Sequence, residues 1–296
     1  MNTPRQLQEL YKKGVNIIKT MSKDRNITSN TSEIIEVAYD LQTGSYQNKW
    51  AKEHLQEHYK NFTKEIANTI LEVCNPNSIM EAGIGEATTF KGVLNHFLDD
   101  INAYGFDISW SRVSYARKWL KDKNVNLCTG NLFSIPILDN AIDVVYTFHS
   151  IEPNGGSEEK ILKELYRVTN NYLILFEPDY EGTNEENKKR MDSLGYCKGL
   201  EKLAITLGYD VVKHTSFIHN LNDKNPTAIT IIKKNSSSND KSEKDIFACP
   251  KYKTPLIFDK NKQTYFSPEA LCIYPIIDDI PCLRIENSIF ASKYEI

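Results

Sequence analysis

The segment that most constrains the fold of this chain runs from Ser78 to Phe90 and reads S-I-M-E-A-G-I-G-E-A-T-T-F. A short apolar run ends in an acid, Glu81, and two glycines, Gly83 and Gly85, precede a segment that can open a helix. Glycine leaves the backbone of a tight turn open enough for a ligand to lie against it. A carboxylate at the mouth of such a turn attracts a cationic ligand and repels a pyrophosphate. The pattern therefore predicts a strand, a turn and a helix around a site for a positively charged ligand.

The composition is typical of a soluble globular protein, since 40% of the residues are hydrophobic and 25% are charged. The length of 296 residues allows one large domain or two unequal ones. The formal net charge is -3, with lysine and arginine scattered between acids, which argues against a nucleic-acid partner. We find no apolar run of membrane-spanning length, no signal-peptide pattern and no disulfide-like spacing of the six cysteines. We therefore expect a cytoplasmic protein with reduced thiols.

The chain divides into regions of different pattern. Residues 1–50 predict an N-terminal helical lid, and residues 51–234 predict the ligand-binding domain. Residues 235–244, which read N-S-S-S-N-D-K-S-E-K, predict a polar linker. Residues 245–296 are rich in short strands and prolines, and they are too few to build much of a core alone. We therefore expect this small C-terminal unit to dock on the larger domain.

Within residues 51–234, almost continuous apolar strands alternate with helices. This alternation predicts an α/β fold, a doubly wound and mostly parallel seven-stranded sheet of the Rossmann-like kind, covered by helices on both faces. The predicted strands span residues 79–81, 103–107, 125–129, 142–148, 172–177, 209–217 and 228–233. The predicted helices span residues 33–41, 48–73, 88–97, 109–121, 157–168 and 200–207, with a turn at 43–46.

The first three predicted strands end in groups that suit a nucleoside. Glu81 and its glycine turn follow the first strand, Asp107 ends the second about twenty residues later, and Asn131 and Leu132 follow the third. Open α/β sheets bind ligands at the carboxyl ends of their strands, so these groups should meet at one edge. There Asp107 can accept both hydroxyls of a ribose, Asn131 can hydrogen-bond an adenine edge, and Leu132 can pack on the ring.

This arrangement resembles the class I S-adenosylmethionine-dependent methyltransferases over roughly residues 63–233, in E-A-G-I-G-E-A, G-F-D-I-S and T-G-N-L-F-S-I-P-I-L-D-N-A-I-D-V-V-Y. The resemblance implies S-adenosylmethionine as the cofactor, whose ammonium and sulfonium suit a carboxylate at the turn. The family more often has Asp where Asn131 stands, but Asn also offers a carbonyl to the adenine amino group. The residues implied to bind the cofactor are Glu81, Gly83, Gly85, Asp107, Ile108, Asn131, Leu132, Phe148 and, from the lid, Tyr46.

A fold that binds a nicotinamide or flavin dinucleotide is the main alternative. Its G-x-G-x-x-G motif requires a third glycine where this chain has Thr88, and it usually has no acid at the position of Glu81. The long helical segment before the first strand also suits a methyltransferase better. The sequence therefore favours S-adenosylmethionine.

Polar groups also follow the fourth and fifth predicted strands, in F-H-S-I-E-P-N-G-G and F-E-P-D-Y-E. Methyl transfer from a sulfonium requires alignment of the nucleophile and often removal of a proton. His149 is therefore the candidate base, oriented by Glu152, although both side chains are also able to satisfy the local backbone. Glu177, Asp179 and Tyr180 either bind an amine or hydroxyls of the acceptor or form a solvated turn.

Missing motifs narrow the chemistry of the acceptor. The chain has F-H-S-I-E-P where adenine-N6 methyltransferases have an Asn/Asp-Pro-Pro-aromatic motif. Pyrimidine-C5 methyltransferases need a nucleophilic cysteine near the active strands, and Cys74, Cys128 and Cys197 stand elsewhere. We therefore expect an oxygen or an unactivated nitrogen as the acceptor atom.

The C-terminal unit contains C-P-K-Y-K-T-P-L and, later, Y-P-I-I-D-D-I-P. These motifs resemble the short zinc-binding domain that supports tRNA and translation-factor methyltransferases, whose pattern is C-P-x-C-K-x-P-L, C-x-x-C and Y-P-I-x-D-G-I-P. Of its four thiolates this chain retains Cys249, whereas Tyr252, Ser267 and Ala270 stand at the other ligand positions. Because structural zinc needs four ligands, we expect a degenerate copy without metal.

Together these features predict an S-adenosylmethionine-dependent O- or N-methyltransferase that acts on a small polar metabolite, such as a sugar or a surface-polysaccharide precursor. The expected partner is thus a small-molecule acceptor, without a membrane or nucleic acid, and a homodimer remains open. An RNA or translation-factor methyltransferase is the second hypothesis. The resemblance of the C-terminal unit supports it, and the lack of an electropositive surface for RNA argues against it. A non-catalytic subunit with the same fold is the third, and the complete cofactor motif argues against it.

Overall fold

The computed structural model describes residues 2–27, 29–98, 100–220, 222–234 and 245–296, so the predicted linker lies outside the described residues. The chain opens with helices, and the side chains of Thr3, Asn16 and Thr31 cap the first turns of the first three by accepting a backbone N–H. Their apolar faces pack together around Leu7 and Ile34. These helices are α1 (Pro4–Lys12), α2 (Ile17–Arg25), α3 (Ser32–Leu41) and α4 (Ser45–Trp50).

The helix predicted over residues 48–73 is interrupted. A short 3₁₀ turn, Glu53–Leu55, separates α4 from α5 (Gln56–Val73). The chain turns back here because Trp50 is buried against Tyr59 and Phe62, with ring centroids 5.0 and 5.4 Å apart. The predicted turn at 43–46 is shorter than expected, since Gly44 adopts a φ of 91° and α4 begins at the next residue. Among the described residues, no helix combines the length and the apolar character needed to cross a membrane.

The central part of the chain alternates strands and helices as predicted. Its strands are β1 (Ser78–Ala82), β2 (Asn102–Asp107), β3 (Val125–Thr129), β4 (Ile142–Phe148), β5 (Thr169–Pro178), β6 (Asp210–Ser216) and β7 (Thr227–Lys233). Its helices are α6 (Thr88–Leu94), α7 (Trp110–Trp119), α8 (Glu158–Val168), α9 (Glu185–Leu194) and α10 (Leu200–Thr206). Helix α9 is missing from the prediction because its sequence, E-E-N-K-K-R-M-D-S-L, has no apolar stripe.

In the described part of the chain, these seven strands form one sheet in the order β3-β2-β1-β4-β5-β7-β6. All neighbours are parallel except around β7, which is antiparallel to both β5 and β6. Met80 and Val145 belong to a hydrophobic cluster on one face, and Ile79 and Val144 belong to a second cluster on the other. Alternate residues point to opposite faces, which explains the almost continuous apolar strands and confirms the predicted α/β fold.

The C-terminal unit is a second, antiparallel sheet that packs on the first. A Leu283 N–H donates to the Thr129 carbonyl at 3.2 Å, beside a parallel bridge between Thr129 and Cys282 at the edge of β3. Phe247, Tyr274 and Leu283 belong to the same hydrophobic cluster as Met80 in the large sheet. The region boundaries and the likeness to a zinc-binding domain remain predictions. The strands of the unit are β8 (Ile257–Asp259), β9 (Thr264–Ser267), β10 (Cys272–Ile277), β11 (Ile280–Pro281) and β12 (Ile289–Phe290).

The positions that carry thiolates in the resembled zinc-binding domain hold a single thiol here, that of Cys249. Cys249 and Ser267 are fully buried, and the Cys249 Sγ lies 3.6 Å from the Tyr274 hydroxyl. Tyr252 is 49% exposed. Within the ranges that the structure describes, no group of three or more His, Cys, Asp or Glu side chains is placed to hold a metal ion.

We expect the purified protein to contain no stoichiometric zinc, because one thiolate cannot hold a structural metal ion. We also expect a chelator to leave the midpoint of thermal unfolding unchanged, since no metal binding would then contribute to folding. Elemental analysis, with unfolding measured in the presence and absence of chelator, checks both. About one zinc per chain, released by the chelator together with a drop in the midpoint, would contradict the prediction.

Candidate active site

The turn after β1 has the backbone conformation that its glycines predict. Gly83 and Gly85 adopt φ values of 75° and 55°, in the left-handed region. A Cβ on Gly83 would lie 2.3 Å from the Cβ of Ser150, so a side chain has no room there. The N–H groups of Gly83 and Ile84 donate to the Phe106 carbonyl at 3.0 and 2.9 Å. This close packing keeps the turn low against the sheet and leaves space above it for a ligand.

Glu81 is a buried carboxyl at the end of β1. It is 3% exposed, and the Tyr146 hydroxyl donates to its Oε2 at 2.7 Å. Burial raises the pKa of Glu81 to about 8, the Tyr146 hydrogen bond opposes this shift, and the charge of Asp107 adds to it. A buried carboxyl of this kind ionises readily only when a positive charge comes close to it.

Asp107 is the last residue of β2, and Asn131 follows the end of β3. Asp107 accepts the N–H of Gly85 at Oδ2 and the N–H of Ser109 at Oδ1, both at 2.9 Å. A carboxylate has further lone pairs, which remain for ligand hydroxyls. Asn131 accepts the Phe133 N–H at 3.0 Å, while its Nδ2 donates to the Ser32 hydroxyl at 3.3 Å. Its amide is therefore oriented by its own loop and by the lid.

The structure brings every predicted site residue to one cavity. The cavity has a volume of about 380 Å³, within the range of small-molecule sites. Ends of strands from the middle of the sheet form its floor, and residues of α3 and α4 line it as well. The predicted residues that line it are Glu81, Gly83, Gly85, Asp107, Ile108, Asn131, Leu132, Phe148, His149, Glu152 and Tyr46.

The lid is fixed to the turn after β1 by contacts that no sequence pattern indicated. The buried Glu86 carboxylate accepts the N–H of Gly44 at 2.9 Å and the N–H of Gln47 at 3.2 Å. Tyr46 and its neighbour Tyr39 face the guanidinium of Arg112. Because these contacts join residues that are far apart in the sequence, no local sequence pattern predicts them.

His149 and Glu152 form the pair that the sequence predicts. The His149 Nδ1 lies 2.5 Å from Glu152 Oε2, and its Nε2 lies 2.7 Å from the Thr227 hydroxyl. Asn225 Nδ2 donates to the same Glu152 oxygen at 2.8 Å. Burial alone would lower the pKa of His149, but the charge and hydrogen bond of Glu152, together with the charge of Glu177, outweigh burial and raise that pKa. Burial would likewise raise the pKa of Glu152, and the His149 charge instead lowers it.

Glu177, Asp179 and Tyr180 lie outside the cavity lining, which argues against acceptor binding. Glu177 is buried, so it does not belong to the solvated turn that was the alternative. Glu177 accepts the backbone N–H groups of residues 150 to 152 at 3.0 to 3.1 Å and so fixes the loop that carries His149. Asp179 accepts the Gly182 N–H, and the Tyr180 hydroxyl donates to a carboxylate of α9. The acceptor end of the cavity also contains Asn154, from the segment after β4 that the sequence singled out, and residues that no sequence pattern indicated. The latter come from α9 and from two loops further along the chain: Arg190, Tyr196, Asn220, Asn222 and Asn225.

Comparisons with known proteins agree with this geometry. Residues 80–174 match the sequence family described as a methyltransferase domain. The chain has the fold of the class I S-adenosylmethionine-dependent methyltransferases. This confirms the predicted fold and the predicted cofactor class, whereas the individual site residues stay predictions. No curated protein sequence matches the chain significantly.

Solved structures share this methyltransferase fold at low sequence identity. The (4+2)-cyclase SpnF aligns with a TM-score of 0.56 and 14% identity, covering 70% of this chain and 97% of its own. Magnesium protoporphyrin IX methyltransferase of Synechocystis PCC 6803, crystallised with S-adenosylhomocysteine, gives 0.53 and 13%, covering 69% and 100%. A chain from the complex between the Haloferax volcanii Trm112 methyltransferase activator and a methyltransferase gives 0.50 and 14%, covering 66% and 96%.

Proposed function

We propose that this protein transfers a methyl group from S-adenosylmethionine to an oxygen or nitrogen of a small polar acceptor. The observation that carries the proposal is the shared cavity. Its cofactor end has the acids and the glycine turn at the ends of β1 and β2, and its acceptor end has polar groups from the loop after β4, from α9 and from the loop between β6 and β7. A single site that places both reactants side by side is what an in-line displacement requires.

The residues at the cofactor end fit S-adenosylmethionine. The buried carboxyl of Glu81 suits a cationic group, and Asp107 retains lone pairs for ribose hydroxyls. The backbone of Gly83 packs so closely on Ser150 that a Cβ would not fit, which keeps the turn close to the sheet and out of the ligand space. When bound, S-adenosylmethionine supplies a methyl group activated by the sulfonium. The protein itself orients that group, excludes water beneath the lid and accepts the proton that the acceptor releases.

The acceptor end favours a small molecule rich in hydroxyl or amino groups. Asparagine amides, a tyrosine and one arginine line it, and these side chains donate and accept hydrogen bonds in the way that sugar hydroxyls require. The limited volume, which the cofactor must share, supports a small acceptor. A sugar or a polysaccharide precursor therefore remains the proposed substrate class. The transfer assay described below also includes carboxylic acids and amines as alternative acceptors.

We propose that His149 is the base that accepts the proton released by the acceptor. The acceptor must first replace the Thr227 hydroxyl at Nε2, while Glu152 holds Nδ1 and fixes the orientation of the ring. The imidazole then accepts the proton as the methyl group is transferred.

We expect nuclear magnetic resonance titration to place the pKa of His149 above its ordinary value, because the Glu152 carboxylate stabilises the imidazolium. Glu152→Gln removes that charge, burial then dominates, and the pKa should fall below the ordinary value. Glu159→Gln, an exposed acid on α8, serves as the matched control and should leave the titration unchanged. An unshifted His149 in the Glu152→Gln variant would contradict the pairing.

The function itself is tested by calorimetry with S-adenosylmethionine and S-adenosylhomocysteine. Radiolabelled S-adenosylmethionine is then incubated with sugars, nucleotide sugars, small amines and carboxylic acids. Transfer must be measured directly, since one protein with this fold is named a cyclase. Absence of binding would favour the non-catalytic subunit.

An RNA or translation-factor methyltransferase is the second candidate. The likeness of the C-terminal unit to the zinc-binding domain favours it, together with the fold shared with the Haloferax volcanii complex. Bulk tRNA and purified release factor in the same transfer assay distinguish it from the small-molecule enzyme.

A further inference from the structure

Arg112 is a buried cation at the wall of the cavity. It follows the Ser109 cap at the start of α7, it is 9% exposed, and it lines the cavity. Within the described ranges, no hydrogen bond or ion pair joins its guanidinium to a protein group, and its Nε is buried without a partner. A guanidinium carries five N–H donors and stays charged, so burying it without an anion is unfavourable.

The acids near Arg112 are already engaged by other donors. The carboxylate of Glu86 accepts two backbone N–H groups of the lid, and that of Asp107 accepts the N–H groups of Gly85 and Ser109. Asp40 accepts the Ser109 hydroxyl at 2.7 Å. None of these carboxylates pairs with Arg112, which leaves the guanidinium available to an anion in the cavity.

The position of Arg112 assigns that anion to the cofactor end. Its Nη2 lies 3.0 Å from where a Cβ on Gly85 would be, directly beside the turn after β1. The rings of Tyr39 and Tyr46 lie 5.3 and 5.0 Å from its guanidinium carbon. These cation–π contacts hold the guanidinium between the turn and the lid. Gly83 has a different neighbour, Ser150, which belongs to the loop that carries His149.

We infer that Arg112 binds the carboxylate of the cofactor's methionine moiety. The inference rests on the proposed function, because it assumes S-adenosylmethionine in this cavity. The two charged groups of the methionine moiety are then recognised separately, the ammonium by Glu81 and the carboxylate by the planar fork of Arg112. Because the lid tyrosines pack on the same guanidinium, the carboxylate also completes the contact between lid and turn.

Calorimetry with S-adenosylhomocysteine and with its analogue lacking the carboxylate tests this inference without needing an acceptor. The wild-type protein should bind S-adenosylhomocysteine about tenfold to hundredfold more tightly than the analogue. Arg112→Met keeps an unbranched apolar stem and removes the charged guanidinium. It should weaken binding of S-adenosylhomocysteine by the same factor and leave the affinity for the analogue unchanged. Arg112→Lys should recover part of the lost affinity.

Arg117→Met is the matched control, since Arg117 lies on the same helix, is exposed and pairs with Asp279 of the C-terminal unit. It should leave both affinities unchanged. Equal weakening of both ligands in Arg112→Met, with its thermal unfolding also lowered, would show a purely structural role and overturn the inference. A wild-type protein that binds both ligands equally would overturn it as well and leave the proposed function standing. A wild-type protein that binds neither would overturn both.

Discussion

Replacing Glu81 by Gln is expected to weaken the binding of S-adenosylmethionine by about two orders of magnitude at about pH 8.5. In the proposed site the buried carboxylate attracts the positive charges of the ligand, and the neutral amide would remove that attraction. Gln keeps an acceptor for the Tyr146 hydroxyl, so the hydrogen bond between β1 and β4 survives. The loss should therefore appear in the affinity for the cofactor and not in the fold.

The pH dependence of binding separates this role from a general loss of structure. Burial raises the pKa of Glu81 to about 8, so below that pH the wild-type protein must release a proton before it can hold the cation. The affinity of the wild-type protein should rise with pH up to about 8, whereas that of Glu81→Gln should stay flat. Calorimetry in buffers of different ionisation enthalpy measures the released proton directly.

The same substitution should affect stability in the opposite direction. In the ligand-free protein the pKa of Glu81 is raised from 4.5 to about 8, so the folded state loses stability as pH rises through this range. Glu81→Gln removes that loss and should unfold at a higher temperature than the wild-type protein at about pH 8. Glu72→Gln, an exposed acid on α5, is the control for both measurements. Equal affinities of the wild-type and Glu81→Gln proteins at high pH would exclude Glu81 from the cofactor site.

Much of the fold and of the cofactor end is encoded locally. Glu81 and Asp107 each end an apolar run, and the alternation rule places the ends of parallel strands at one edge. The prediction of strands succeeded because both faces of the sheet are buried, which makes each strand almost continuously apolar. The break near Trp50 was missed because its cause is packing on α5, and packing is not visible in helical periodicity.

The acceptor end and the lid contacts depend on long-range contacts. Arg190 lies on a polar helix without an apolar stripe, and Asn225 lies in a loop whose composition resembles any solvated turn. Glu86 follows the glycine turn directly, but its partners belong to the lid some forty residues earlier in the chain. Only the fold brings such residues into the site. The cofactor end could therefore be predicted from the sequence more completely than the acceptor end.

Adding one methyl group at Gly83 is expected to lower the free energy of unfolding by about 2 to 4 kcal/mol and to abolish cofactor binding. The φ of 75° disfavours alanine, and the new Cβ would lie 2.3 Å from the Cβ of Ser150, far inside van der Waals contact. The turn must then rise from the sheet into the space of the ligand. Denaturant unfolding of the ligand-free protein measures the first effect, and calorimetry measures the second.

A second substitution divides this cost into its two causes. Ser150→Gly removes the atoms in collision, and the next neighbour of a Cβ at residue 83 is then the Ser150 Cα at 3.6 Å, an ordinary contact. In the Gly83→Ala, Ser150→Gly double variant the steric part of the loss should disappear, whereas about 1 kcal/mol for the left-handed backbone should remain. Additive effects of the two substitutions would mean that the turn and the β4 loop do not touch. Recovery of stability together with cofactor binding would instead show that the contact between these loops holds the turn in its ligand-binding position.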